Sequence, residues 1–299
     1  MAKPLVSIII PVYNDEKRII DCVTSVYEQN QLNFSLEVIV VDNGSTDNTL
    51  EVIERELKTK YEDLVVETCE VPGSYAARNK GLSVCNGDFT AFTDSDCIVS
   101  KNWIEHHLAS IVNHSNGISA GEVKFFAENS KETEQSALDF ENLFSMKQKD
   151  NAANGKCITA NFFCYRSLFN EIGDFDASLK SGGDVEMSRR GVKQGGAVVY
   201  CDKAVVEHPS RNRNELIVKR KRIIGGTWDS ALSSSGLIEN LRFVIRLLKM
   251  FLGRSKAVIK NVDLSSRRKL SLIGLLLAIF LVSISELVAL SLGKQSNRE

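Results

Sequence analysis

The sequence predicts an α/β fold: a doubly wound, mostly parallel sheet followed by a basic amphipathic helix and a single transmembrane helix. Three observations predict it. Short β-branched runs alternate with helical patterns through the first hundred residues. The run Leu36–Val41 (LEVIVV) is apolar without interruption, as in a strand buried on both faces. Beyond residue 210 the chain turns first basic, then apolar.

The elements follow in order. Leu5–Ile10 is a strand and Asp15–Gln29 a helix. Leu36–Val41 is the second strand. Ser45 is placed to cap the next helix, whose apolar positions Leu50, Ile53 and Leu57 keep helical spacing. Leu64–Thr68, the helix Ser74–Val84 and the strand Phe89–Thr93 complete a βαβαβαβ order, which implies parallel strands joined by crossovers. Ligands of such sheets sit outside the carboxyl ends of the strands. Pro11-Val12-Tyr13-Asn14, Asp42-Asn43-Gly44-Ser45 and Asp94-Ser95-Asp96 therefore converge on one crevice. Residues 127–155 are polar and less regular, and apolar pattern resumes at Cys157–Phe169 and Ala197–Val206.

Leu237–Leu252 places Leu237, Ile238, Leu241, Val244, Ile245, Leu248, Phe251 and Leu252 on one helical face and Arg242, Arg246 and Lys249 on the other. Such a helix suits an anionic membrane surface, or the body of the protein. Leu270–Leu292 carries one charge, Glu286, over 23 residues. At about 1.5 Å per residue it is long enough to cross a bilayer. Arg267, Arg268 and Lys269 precede it and put that end in the cytoplasm. Whether it spans or lies at the surface stays open. The expected domains are 1–210, a basic membrane-proximal stretch 211–268, and 269–299.

Composition narrows the function. With 299 residues, 43% hydrophobic, 25% charged and 4 prolines, the chain is not disordered. A net charge of −1 gives the whole protein no nucleic-acid footprint. Residues 1–210 hold 20 Lys and Arg against 32 acids, whereas 211–268 hold 14 against 4, so the basic part suits a negatively charged partner surface. Seven cysteines without a CxxC pair argue against a disulfide framework or structural zinc and fit a reducing cytoplasm. The short N-terminal apolar run reads as a strand, not a signal peptide.

Asp94 and Asp96 follow a strand, and residues i and i+2 of an extended chain point the same way. Two hard oxygen donors suit Mg²⁺ or Mn²⁺ bridging a diphosphate; a solvated acidic turn is the plain alternative. Asp42 ends the second strand, where it can accept hydrogen bonds from a nucleobase or ribose. His106, His107 and His114 read as surface residues.

VSIIIPVYND, VIVVDNGSTDNT, AARNKGL and FTDSDC, in this order and spacing, resemble the nucleotide-sugar half of family 2 glycosyltransferases of the GT-A fold. ITANFFCYRSLFNEIGDFDASLKSGGDVEMSRR resembles their acceptor half. The resemblance implies that Pro11, Tyr13 and Asp42 line the base and ribose pocket, with Arg78 near the nucleotide. It makes Asp94 and Asp96 the metal-binding pair, Asp96 the more direct ligand, and lets His208 complete the coordination of Mn²⁺ or Mg²⁺. Asp184 takes the place of the general base, with Glu186 as fallback. Gly183 stands where the family often has Glu. The implied reaction is inverting transfer from a UDP-linked or related nucleotide-sugar to a hydroxyl acceptor, lipid-linked or part of a surface polysaccharide precursor, at the inner face of the cytoplasmic membrane. The Q-x-x-R-W motif of processive members is absent from Arg222–Trp228, so a single sugar is transferred. A nucleotidyltransferase would need a glycine-rich basic loop that Pro11–Asn14 does not supply. A catalytically silent, membrane-tethered sugar-nucleotide binder stays open as the other alternative.

Overall fold

The computed structural model describes residues 3–114, 116–128 and 134–296. In chain order, β1 (Leu5–Val12), α1 (Ile19–Tyr27) and β2 (Ser35–Asp42) lead into α2 (Thr49–Val52), a π turn (Ile53–Leu57) and α3 (Lys58–Lys60). Next come β3 (Val65–Thr68), α4 (Ser74–Val84), β4 (Phe89–Phe92), β5 (Ile98–Val99), α5 (Trp103–Ile111) and β6 (Ile118–Phe126). They are followed by α6 (Gln135–Phe144), α7 (Gln148–Ala153), β7 (Phe162–Tyr165), α8 (Ser167–Ile172), α9 (Gly183–Lys193) and β8 (Val198–Pro209). Three helices close the chain: α10 (Arg213–Thr227), α11 (Leu237–Lys260) and α12 (Ser266–Ser291).

Eight strands form one sheet in the order β3-β2-β1-β4-β7-β6-β8-β5. The first four strands are parallel, as the alternating pattern predicts. The later half differs, because β7 pairs antiparallel with both β4 and β6. Two compact units result. One comprises residues 1–124, 146–178 and 182–209, and the other 125–145, 179–181 and 210–299. The stretch 127–155, expected to be polar and less regular, contains α6 and α7; its residues 129–133 lie outside the described residues.

The core of the first unit shows why its strands are continuously apolar. Ile8, Ile10, Val38 and Val40 pack on one face with Val23 and Val26 of α1. Ile9, Ile39 and Val41 pack on the other with Ala77 and Leu82 of α4. Alternate side chains thus enter opposite layers, and both layers are dry. Gly81 lets α4 approach closely, since a Cβ there would lie 2.5 Å from Ile9 Cγ2.

Register then positions the loops. Val12 pairs with Asp42 and Asp42 with Thr68, so β1, β2 and β3 end level. Phe92 pairs with Ile9, so the chain from Thr93 onward continues beside the end of β1.

Two local expectations are corrected. Ser45 does not cap the following helix: its hydroxyl accepts the Asn14 N–H (2.9 Å), while Asp47 Oδ1 accepts the Thr49 N–H (3.0 Å). His107 is not a surface residue but fully buried. Trp103, His107 and Ile111 recur every four residues and share the inner face of α5. His107 Nε2 lies 2.9 Å from Asn161 Oδ1 and its Nδ1 lies 2.7 Å from Ser119 Oγ. Asn161 also accepts from Trp103 Nε1 (2.8 Å) and donates to the carbonyls of Glu122 (2.8 Å) and Ala204 (2.9 Å). This side chain ties β6, β8 and α5 together.

Burial pushes His107 down from 6.5 to about 3. A base whose folded value is depressed stabilises the fold above its unfolded value and loses that contribution as pH falls. Chemical denaturation is therefore expected to show a loss of about 1 kcal/mol from this residue between pH 7 and 5.5. His107→Gln should lack that part of the pH dependence; identical pH profiles for the two proteins would contradict the assignment.

Candidate active site

One side of the candidate site is built where β1 and β2 end. Asn14 adopts φ +50°, a left-handed conformation that asparagine tolerates better than most residues. Its Oδ1 accepts the Thr46 N–H at 2.7 Å and so staples the loop after β1 to the loop after β2. Asp42 is 4% exposed. Its Oδ2 accepts the N–H groups of Gly44 and Ser45, both at 3.1 Å. Its Oδ1 is buried with no hydrogen-bond partner among the described residues. A buried carboxylate oxygen left so is costly unless a donor arrives. Pro11 is buried at the end of β1, and Tyr13 stands out beside it, 46% exposed.

Next to this pocket, Asp94, Asp96, Cys97 and His208 each bring one ligand atom within 4.8 Å of the others. Three neighbours hold the acids. Arg78, 3% exposed, gives Nη2 to Asp94 Oδ1 at 2.5 Å. Arg78 is thus buried beneath Asp94 and positions it. Arg18 Nη1 stands 3.9 Å from Asp96 Oδ2 and its Nε donates to Asp15 Oδ1 at 2.6 Å. Ser95, between the two acids, donates to Asp15 Oδ2 at 2.7 Å. Burial raises the Asp15 carboxyl above its ordinary value.

His208 is 1% exposed. Its Nδ1 lies 2.7 Å from the Pro209 carbonyl, which makes Nδ1 the protonated nitrogen. Nε2 then faces the acids, 3.6 Å from Asp96 Oδ1. Burial and the nearby acids push the Cys97 thiol well above its ordinary value, so it stays protonated. Two carboxylates and an imidazole nitrogen remain, and this donor set fits Mn²⁺ or Mg²⁺.

Asp184 comes from the first turn of α9. Its Oδ1 accepts the Val185 N–H at 2.9 Å. Burial raises its carboxyl above the ordinary value; the Arg78 charge pulls it down and the Asp94 charge pushes it up. Asp184 thus lies close enough to Arg78 and Asp94 to feel both charges. Tyr75 packs beside it, and its hydroxyl accepts the Gly183 N–H at 2.9 Å. Burial, with Asp184 second, raises Tyr75 to about 12, so the ring remains a phenol. A Cβ on Gly183 would lie 2.8 Å from the Tyr75 ring. Tyr75 thus occupies the room that a larger residue at 183 would need. Glu186 is turned to Arg190 at 2.9 and 3.0 Å, an ordinary one-turn helix pair.

Arg78, Asp94, Asp96 and His208 thus meet in one cluster with Asp184 close by, while Asp42 stands at the end of β2. Sequence reading passed over Asp15, Arg18, Tyr75, Ser95 and Cys97. Asp15 and Arg18 carried a signal, an acid and a base three residues apart at a helix start. Tyr75 carried none, because its contact with residue 183 spans 108 positions.

A family model described as Glycosyl transferase family 2 matches residues 7–173. Glycosyltransferase AglE of Haloferax volcanii is 34% identical over 74% of this chain and 72% of its own length. The chain spans smaller shares, 33% and 46%, of two other curated glycosyltransferases that it matches. The mannosyltransferase PcManGT of Pyrobaculum calidifontis, solved with GDP-Man and Mn²⁺, superposes with a TM-score of 0.64 at 16% identity, covering 96% of this chain and 88% of that one. TarS 1–349 of S. aureus, solved with UDP, superposes at 0.54 and 20% identity, covering 98% and 92%. Likeness at these identities speaks to the fold, which is GT-A.

The Tyr75–Gly183 contact is open to a double-mutant cycle. Gly183→Ala is expected to cost about 1–3 kcal/mol through overcrowding. Combining it with Tyr75→Ala should give a total well below the sum of the single costs, measured by denaturation. Additive costs would show that the two residues do not compete for space.

Proposed function

We propose that the chain, which belongs to glycosyl transferase family 2, moves one sugar from a nucleotide-sugar to a hydroxyl acceptor in a single inverting displacement. The observation that carries this reading is one separate carboxylate, Asp184, near enough to a cluster of two acids and an imidazole to feel the Asp94 charge. An acid cluster alone serves binding; the additional carboxylate supplies a base.

In this reading Asp94, Asp96 and His208 hold Mn²⁺ or Mg²⁺. The bound cation supplies neutralisation of the charge that develops on the departing diphosphate. Arg78 fixes Asp94 from beneath, and Arg18 does the same for Asp15 at the edge of Asp96. Asp184 takes the proton of the acceptor hydroxyl at its carboxylate oxygen as that hydroxyl attacks the anomeric carbon. Its raised proton affinity makes it a better acceptor than an exposed aspartate, while the first turn of α9 keeps the charged form available.

Asp42 points to the base. One of its oxygens is committed to two backbone N–H groups, and the other is open. Uracil offers one ring N–H on its pairing edge, whereas guanine offers two adjacent donors. One open oxygen suits uracil better, so we favour a UDP-linked donor. Tyr13, half-exposed at the mouth, offers a face for the base to stack on.

The C-terminal helices carry the proposed location. Of the described residues, Ser266–Ser291 is the stretch long and apolar enough to cross a membrane by length and composition. With the basic residues of 211–268, it supports residence at the cytoplasmic membrane, the catalytic part in the cytoplasm, and a part in building envelope polysaccharide or glycolipid. The acceptor there is lipid-linked or a soluble precursor.

Nuclear magnetic resonance of the product, with a panel of donors and acceptors, tests the reaction. Asp184→Asn should lower kcat about 10²- to 10⁴-fold with little change in donor affinity. The wild-type product should carry one added sugar of inverted anomeric configuration. Wild-type transfer by both Asp184→Asn and Asp96→Asn would end the assignment. Donor binding without turnover across the panel would favour the silent binder.

A further inference from the structure

The helical unit contains two apolar stripes that the fold does not cover. On α11, Leu237, Ile238, Leu241, Ile245, Leu248 and Leu252 are 43% to 84% exposed. Leu270, Leu277, Leu281, Val288 and Leu292, on or just beyond α12, form a second exposed stripe. Arg242, Arg246 and Lys249, all exposed, run beside the first at helical spacing. Exposed apolar rows edged with cations match an anionic lipid surface, with apolar side chains among the acyl chains and cations at the headgroups.

The opposite face of α12 is committed to its own unit. Leu272, Leu275, Leu276 and Ile279 pack with Leu216 of α10 and with Ala137 and Phe140 of α6. Leu287 and Leu290 pack with Ile224 of α10. Polar ties run the whole length. Arg268 grips the buried Asp139 at 3.0 and 2.5 Å. Arg220 Nε donates to the buried Ser283 hydroxyl at 2.6 Å. The buried Glu286 takes Lys294 at 2.7 and 2.8 Å. Past the helix, the Ser296 hydroxyl donates to Asp229 Oδ2 at 2.6 Å and the Ser296 carbonyl accepts from Lys180 Nζ at 2.9 Å.

We infer that α12 does not cross the bilayer. It lies with α11 in the interface of an anionic phospholipid membrane, and both of its ends stay on the same side as α10. This rests on the membrane-seated reading above and fixes its topology.

A crossing helix of about 39 Å, at 1.5 Å per residue, would carry Ser296 to the far side. The ties to Lys180 and Asp229 would break. Alternatively α10 would follow α12 inward and take Lys219, Arg220, Lys221 and Arg222 into hydrocarbon, where each such cation is strongly disfavoured. Glu286 and Ser283, buried against polar partners here, would face the same medium. Lying flat keeps these polar groups out of hydrocarbon and offers the two apolar stripes to lipid.

The test uses the full chain with an epitope tag appended after Glu299, expressed in a bacterial host. Protease is added to intact spheroplasts and to inverted membrane vesicles, and alkaline carbonate extraction is run alongside. Purified protein is also sedimented with phosphatidylcholine vesicles, with and without phosphatidylglycerol. The expected result is a tag protected in spheroplasts and cut in inverted vesicles, release by carbonate, and salt-sensitive binding to the phosphatidylglycerol vesicles alone. Leu241→Glu with Leu248→Glu changes exposed positions only. It should retain wild-type circular dichroism and lose vesicle binding at least tenfold. A tag cut from outside intact spheroplasts, or resistance to carbonate, overturns the inference and leaves the membrane seat standing. A soluble protein that ignores both vesicle types, including one whose stripes are covered by a second copy, overturns the membrane seat and the inference together.

Discussion

Like charges at one sheet edge are the constraint on which the site depends. Asp15, Asp94 and Asp96 follow the ends of β1 and β4 and Asp184 comes from α9, close enough that the Asp94 charge is felt at Asp184 and the Asp96 charge at Asp15. Carboxylates held this near one another in a partly dry crevice need cations. The chain supplies two, Arg78 beneath Asp94 and Arg18 beside Asp15. Two arginines against four acids leave a deficit of positive charge in the open part of the crevice. In the proposed function a divalent cation would fill that deficit, and a diphosphate would follow the cation. The rest of the unit serves this arrangement: the parallel ladder sets the level of the loops, and close approach at Gly81 sets the seat of the helix that carries Arg78.

The parallel half of the sheet was legible in the sequence because it obeys a local rule. Strands buried on both faces are uniformly apolar, the helices between them keep their period, and Ser74–Val84 matched to the residue. The antiparallel half was not. β6 carries small and charged residues among its apolar ones, and β5 has two residues, too few for any period. What organises that half is Asn161, whose partners lie 39 to 58 positions away. No window of neighbouring residues contains such a network. His107 shows the opposite failure, since its helical phase with Trp103 and Ile111 was present in the sequence and outweighed by the habit of reading histidine as polar.

The site was legible to a similar extent. Asp42, Asp94, Asp96, Asp184 and His208 were chosen from strand ends and family motifs; Asp94, Asp96 and His208 form one cluster, Asp184 lies near enough to feel the Asp94 charge, and Asp42 ends β2. The supporting residues were invisible because support is a matter of contact rather than of motif. Gly183 is the clearest case. The sequence shows only that it stands where the family often has Glu; in the fold it is a steric match to Tyr75, whose hydroxyl holds the backbone that carries Asp184. The basic C-terminal stretch likewise read correctly as charge, whereas the direction of each apolar row emerged only once α10, α11 and α12 were seen side by side.

The charge deficit at the crevice makes one demand that calorimetry measures directly. If a divalent cation joins the acid cluster to the diphosphate, UDP should bind the wild-type protein with Mn²⁺ present at least tenfold more tightly than in excess chelator. UDP affinity that is equal in Mn²⁺ and in chelator would contradict the account, because the acids would then meet the diphosphate with no cation between them.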